Sequence, residues 1–278
     1  MIKVIDIDNL FDEFITEYVY ANVGKVKPEE IENKIPQLYE DFGKKPLAEL
    51  DGKTPKEYYR SFGIKELLDC LKNHLEQAVS VPDFLCEAIT SNSDNEQGLV
   101  NAITEEVNEE FTIYVMNMLN ELNSKKCLSR YLEFVLWDYS CTIKELATEH
   151  LKENANSVKE DVLAQFNDCD SQVQEYLSEI LSGCKKDDRV FNLLTLQFVK
   201  NLDKIPLYAS YLSKYGDERA LPFLMAQIER EDITYADFEE LRFAIEALGG
   251  EYNKVRDFKK DKSYKKIKNA FAKKDLLN

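Results

Sequence analysis

Two helix-like runs in the second half of the chain end at glycines 33 residues apart, Gly216 and Gly249. The positions one, four, five and eight residues before them are apolar or aromatic: Tyr215, Leu212, Tyr211 and Tyr208 in the first run, and Leu248, Ile245, Ala244 and Leu241 in the second. This spacing lines one face of an α-helix, so each run predicts an amphipathic helix that ends at its glycine. A third glycine at the same interval, Gly183, follows polar residues, and the apolar phase returns only in a frame two residues later.

The composition of the whole chain also favours helices over strands. It has 9 glycines and 7 prolines among 278 residues, 44% of its residues are hydrophobic, and no glycine lies between Gly98 and Gly183. We therefore expect an all-α protein. The loop-like segment 92–98 suggests a boundary between an irregular helical region over 1–92 and a second helical region over 93–278. One continuous domain is also compatible with the sequence.

Capping and breaking residues predict several helix ends. Thr54, followed by a proline, and Thr234 are suited to begin helices, and Asp217 is suited to cap the helix that follows Gly216. Pro36 is expected to kink or split the helix predicted over 28–43.

The segments "YGDERALPFL" and "LRFAIEALGG" resemble a HEAT-like repeat of the short bacterial kind. The matching residues are Gly216, Asp217, Arg219, Ala220, Pro222, Leu224, Ala244, Ala247, Leu248 and Gly249. The resemblance is clearest over 206–250, extends plausibly over 155–278, and implies an α–α superhelix, or solenoid. In such repeats a pair like Asp217 and Arg219 bridges neighbouring turns, and "DDRVFNLL" at 187–194 is a degenerate echo in which an acid and an arginine are adjacent. The resemblance implies no single activity.

The C-terminal end has a charge opposite to that of the rest of the chain. Net charge is −16, made up of +6 over 251–278 and −22 over the other residues. Within "KSYKKIKNAFAKK", at 262–274, Tyr264, Ile267 and Phe271 share a helical face. The segment is suited to cap the last repeat, or alternatively to bind an acidic partner or an anionic lipid surface.

The overall charge indicates which partners are compatible with this protein. An acidic surface repels phosphate backbones, so general nucleic-acid binding is not expected, nor is stable membrane association. The N-terminus lacks the pattern of a signal peptide, no run is long enough to span a membrane, and the six cysteines are scattered. These features predict a cytoplasmic protein with reduced thiols. The leading functional hypothesis is a binding scaffold or adaptor for a basic protein or peptide.

Few residues stand out as candidates for a functional site. Tyr208, Tyr211 and Tyr215 form a stripe that suits either a binding groove or a helical core. Glu106 and Glu110 share a helical face, as a cation or acid–base pair would, or as part of a solvated face. The sequence predicts no catalytic set, cofactor or metal. Alternative hypotheses are an enzyme on a HEAT-like scaffold, glycosylase-like or lyase-like, or an acidic inhibitor of the immunity-protein type.

Overall fold

The computed structural model describes residues 2–22, 28–105, 108–137, 139–262, 264–266 and 268. Every regular element in these residues is a helix, so the prediction of an all-α chain is confirmed for them. The chain divides into two compact units, Met1–Arg130 and Tyr131–Asn278. The sequence suggested a domain boundary near residue 92. At that point a 3-10 turn leads directly into the next helix of the first unit.

The first unit contains eight α-helices and two short turns within its described residues. The α-helices are α1 (Ile7–Ala21), α2 (Pro28–Glu32), α3 (Ile35–Phe42), α4 (Pro55–Arg60), α5 (Ile64–Glu76), α6 (Asp83–Thr90), α7 (Glu96–Glu105) and α8 (Glu109–Glu121), and the 3-10 turns are Ala48–Leu50 and Ser93–Asn95. Two local predictions are confirmed. Thr54 caps α4 with a capping box, and the helix predicted over 28–43 is split into α2 and α3, with Pro36 in the first turn of α3.

Helix α8 is the centre of the first unit's packing. It contacts α5, α6 and α7, and it buries Phe111, Val115 and Leu119. A separate aromatic cluster joins α1, α3 and α6, in which the Tyr39 ring stacks on the Phe84 ring at 4.8 Å. These contacts give the first unit an apolar core of its own.

His74 is a fully buried histidine on α5. Its Nδ1 lies 2.8 Å from the carbonyl oxygen of Ser80 and donates to it, while Nε2 has no hydrogen-bond partner among the described residues. Burial lowers the pKa of His74 because the charged imidazolium would lose its hydration. The folded first unit therefore holds this histidine neutral.

We predict that the first unit loses stability as the pH falls below about 6.5, the ordinary histidine pKa. The unfolded chain binds a proton there that the folded site excludes, so protonation favours unfolding. His74→Gln retains a donor for the Ser80 carbonyl but does not titrate. Urea unfolding across this pH range should show a shallower acid-side loss in H74Q than in the wild type. Equal slopes would show that His74 does not control the acid response.

The second unit consists of helices that pack both on their sequence neighbours and on the next helix but one. Its helices are α10 (Cys141–Glu153), α11 (Ala155–Gln165), α12 (Ser171–Ser182), α13 (Asp188–Lys200), α14 (Ile205–Tyr215), α15 (Leu221–Ile228) and α16 (Tyr235–Ala247), with 3-10 turns at Phe166–Asp168, Leu202–Lys204 and Glu218–Ala220. The division between the units falls within α9 (Leu128–Leu136). Helices α10, α12, α14 and α16 form one row, each in contact with the next, and α11, α13 and α15 each pack against the row helix that follows them.

The glycines of the second unit serve two different purposes. Gly216 and Gly249 have φ angles of 75° and 81°, the left-handed conformation predicted for glycines that end helices. Gly183 has an ordinary helical φ of −85°. A Cβ added at Gly183 would lie 2.3 Å from the carbonyl oxygen of Lys152, so this glycine allows the end of α12 to approach the backbone of α10.

Candidate functional site

Two Asp-x-Arg pairs, each an aspartate with an arginine two residues later, stand 30 residues apart in the second unit. The Asp217 carboxylate accepts the backbone N–H of Arg219 and is also bound by the Arg219 guanidinium, with Nη2 at 2.7 Å. The Asp187 carboxylate binds the backbone and side chain of Arg189 in the same way, with Nη2 at 2.8 Å. The sequence-based match to Asp188 was therefore out of register by one residue, since Asp187 is the residue that occupies the position of Asp217.

Each arginine of these pairs also reaches an acid about 30 residues earlier. The Arg189 guanidinium binds both oxygens of Glu160, at 2.8 and 2.9 Å. Arg219 Nη1 lies 2.9 Å from Asp188 Oδ1, and its guanidinium carbon lies 4.3 Å from the centre of the Phe191 ring. The two pairs thus connect the middle of α11 to the start of α13, and the start of α13 to the 3-10 turn that precedes α15.

Tyr215 also forms hydrogen bonds with a residue 28 positions earlier in the chain. The backbone N–H of Asp187 donates to the Tyr215 hydroxyl at 2.6 Å, and that hydroxyl donates to the Asp187 carbonyl oxygen at 2.9 Å. Hydrogen bonds from Arg189 and Lys159 hold the pKa of the Asp187 carboxyl well below its usual range. The end of α14 is therefore fastened to the start of α13.

Polar side chains from three helices of the row, α10, α12 and α14, form a band that we call the α10–α14 face. It comprises Glu145, Glu149 and Lys152 of α10, Glu175, Tyr176 and Glu179 of α12, Lys204 just before α14, and Lys214 of α14. Lys152 Nζ lies 2.6 Å from Glu179 Oε1, and Lys204 forms an ion pair with Glu175. No ion pair joins Glu145 or Glu149 to another described residue, and both are exposed. The face thus combines internally paired charges with open carboxylates on α10.

Burial and the charges of this face shift the pKa values of Lys152, Lys214 and Tyr211. Burial lowers the pKa of Lys214, and the positive charge of Lys152 lowers it further. Burial alone would lower the pKa of Lys152, but the Glu179 carboxylate raises it above its ordinary value. Burial raises the pKa of Tyr211, and the charge of Glu179 adds to that rise.

The tyrosine stripe, which by sequence suits either a binding groove or a helical core, lies in the core of the second unit. Tyr208, Tyr211 and Tyr215 are 2%, 7% and 5% exposed, so these rings have little surface to offer a partner. Glu110 is exposed in the first turn of α8, in the first unit, and Glu106 lies outside the described residues. Sequence reasoning missed Glu145 and Glu149, whose spacing of four residues was the available signal.

The other prominent feature of the second unit is a cavity of about 660 Å³ between α16 and the segment that follows it. We call it the C-terminal cavity. Its aromatic lining consists of Tyr235, Phe238, Tyr252, Phe258 and Tyr264, and its charged lining consists of Glu239, Arg242, Lys254, Arg256, Asp257 and Lys259. The Tyr264 ring meets the Tyr235 ring edge-on at 5.0 Å, which is the contact expected of a capping segment. The other two members of the predicted capping face, Ile267 and Phe271, lie outside the described residues.

The described part of the chain contains no group of three or more His, Cys, Asp or Glu side chains arranged to hold a metal ion. Among the described helices, none combines the length and apolar character needed to cross a bilayer. Comparisons with family models, curated proteins and solved structures yielded no match.

Proposed function

We propose that the second unit is a HEAT-like α–α stack that serves as a protein-binding scaffold. The observation that carries the proposal is the pair of equivalent Asp-x-Arg arrangements, each of which ties its own helix start to an acid about 30 residues earlier. Repeated links of one length are what a stack of similar helix pairs requires. The alternating contacts of α10, α12, α14 and α16 support the same arrangement. A first unit of irregular helices then precedes the stack.

The partner best suited to this scaffold is a basic protein or peptide in the cytoplasm. The net charge of −16 favours approach of a positively charged molecule. On the α10–α14 face, Glu145 and Glu149 are one helical turn apart and exposed, so an arginine or lysine of a partner can reach both. Their carboxylates form no ion pair with a described residue, whereas Glu175 and Glu179 would have to release Lys204 and Lys152. Recognition therefore begins on α10.

We predict that Glu145→Gln with Glu149→Gln abolishes capture of a basic partner. The tagged protein would be used to capture partners from a lysate at low and high salt, and the recovered component would be purified and titrated against the variants. Wild-type binding should weaken with salt because exposed ion pairs are screened. The matched control is Glu231→Gln with Glu240→Gln, which removes the same charge from exposed sites off this face. Equal binding by both double variants, or salt-independent binding, would refute the assignment of the face.

A further inference from the structure

The C-terminal cavity has a positive charge surplus in a strongly acidic protein. Four cationic and two anionic side chains line it. Its volume of about 660 Å³ lies within the range of pockets that enclose small organic ligands. Such pockets typically join apolar walls to a few polar groups that fix orientation, and here five aromatic rings supply the walls.

Arg256 is the cation of this cavity with the most capacity for a ligand. One of its N–H groups donates to the carbonyl oxygen of Ile228 at 2.8 Å, and its guanidinium carbon lies 5.9 and 5.8 Å from the ring centres of Phe238 and Phe258. No carboxylate forms an ion pair with it among the described residues, whereas Lys254 is paired with Glu229 at 2.5 Å. The guanidinium is therefore oriented by a carbonyl and two rings, with its other N–H groups available.

Arg242 supplies a second incompletely used guanidinium. Its Nη2 binds Glu239 Oε2 at 2.9 Å, but its Nε is buried and makes no hydrogen bond to any described residue. Glu246 Oε1 lies 4.0 Å from that nitrogen, which is beyond hydrogen-bond distance. A buried N–H without an acceptor is costly, so the Arg242 guanidinium, which lines the cavity, has hydrogen-bonding capacity that Glu239 does not use.

We propose that the C-terminal cavity binds a small phosphate monoester that also carries a planar aromatic ring. Of the four cations that line the cavity, Arg256 forms no ion pair among the described residues, and its charge suits a phosphate monoester, which carries nearly two negative charges at neutral pH. Guanidinium groups bind phosphate oxygens in pairs of parallel hydrogen bonds. The ring of the ligand would pack on the aromatic walls, which prefer offset or edge-on contacts. The site is separate from the α10–α14 face and does not depend on it.

Calorimetric titration with phenyl phosphate and adenosine monophosphate tests both parts of the proposal. Phenol and adenosine lack the phosphate, and inorganic phosphate lacks the ring. We expect at least one ester to bind more tightly than its two fragments. If neither ester binds the folded protein, or if inorganic phosphate binds as tightly as the esters, the proposal is wrong.

Three variants locate the site. Arg256→Gln should weaken ester binding by about tenfold or more, because it removes the charge-assisted hydrogen bonds. Should this variant unfold, Arg256→Lys retains the charge without the planar fork and should still bind several-fold more weakly. Lys260→Gln, an exposed residue outside the lining, is the matched control and should bind as the wild type does. Unchanged ester binding in folded R256Q or R256K would overturn the proposal. This outcome is independent of whether E145Q/E149Q loses binding of the basic partner.

Discussion

Gly183→Ala is expected to destabilise the second unit by about 3 kcal/mol, as overpacking of a close contact does. The added Cβ would lie 2.3 Å from the Lys152 carbonyl oxygen and 3.2 Å from its carbonyl carbon, and both are backbone atoms. A side chain could rotate away from such a contact, but a helix backbone can only shift. The end of α12 must therefore separate from α10, which takes apart packing along the row of helices.

Urea unfolding and hydrogen exchange would measure this effect. Amides of α10 and α12 in G183A should exchange faster than in the wild type, while those of α8 in the first unit should not change. Gly63→Ala is the control, because a Cβ there meets only a flexible Glu66 oxygen at 3.9 Å. Its cost should be about 0.5–1 kcal/mol, since alanine is a poorer N-cap than glycine. If the amides of α10 and α12 exchange at the same rate in G183A as in the wild type, the close approach at Gly183 is not needed to hold these two helices together.

Asp217→Ala is expected to lower the free energy of unfolding of the second unit by about 2 kcal/mol. Asp217 is 3% exposed, and its carboxylate caps the helix start while it binds the Arg219 side chain. Removing the carboxylate leaves the backbone N–H of Arg219 without its cap. It also frees the guanidinium that reaches Asp188. The loss therefore combines a cap, a buried acceptor and a link between helix pairs.

The effect of Asp217→Ala should also depend on pH. Hydrogen bonds from Arg219 lower the pKa of Asp217, so the carboxylate stabilises the fold above about pH 3.9, the ordinary aspartate value. That stabilisation is lost as the pH falls through the lowered pKa, because the folded carboxylate is then protonated as well. The difference between D217A and the wild type should accordingly shrink in strong acid.

Asp232→Ala is the matched control for this variant. Asp232 binds Arg230 through two hydrogen bonds, at 2.8 and 3.0 Å, but its side chain is 72% exposed. Exposed ion pairs contribute little to stability, so D232A should unfold as the wild type does. A D217A variant as stable as D232A would show that the Asp-x-Arg pair does not fasten the helix pairs.

Helix ends are the part of this fold that the sequence predicts best, because they depend on residues close together in the chain. Thr234 begins α16 by accepting the N–H of Asp237, and Gly216 ends α14 in the left-handed conformation. Apolar periodicity likewise placed Tyr208, Tyr211 and Tyr215 on one face of α14. Periodicity does not say whether another helix covers that face, and the structure shows that the three rings are buried.

The contacts between helix pairs were harder to predict. The spacing of Asp187 and Arg189 equals that of Asp217 and Arg219, but Asp188 beside them offered a competing match. The structure gives Asp188 a separate purpose, as the acceptor for Arg219 of the following pair. A pattern within one short segment cannot reveal a residue whose partner lies about 30 positions further along the chain.

The C-terminal cavity was not predictable from local sequence at all. The segment after Gly250 has no helical or strand periodicity up to the basic run, and its conformation is fixed by long-range contacts. Arg256 reaches the Ile228 carbonyl 28 residues earlier, and Phe258 meets the rings of Tyr235 and Phe238. Only the charge reversal near the C-terminus indicated that this part of the chain differs from the rest.

The Asp-x-Arg links make part of the packing in the second unit sensitive to salt. Arg189 and Arg219 are about half exposed, so dissolved ions compete directly for their carboxylate partners. The tyrosines and aliphatic residues of the α14 core are shielded from those ions. Rising ionic strength would therefore loosen the charged edge of the helix pairs and leave the apolar contacts in place. The second unit thus combines salt-sensitive contacts at its charged edge with salt-insensitive contacts in its core.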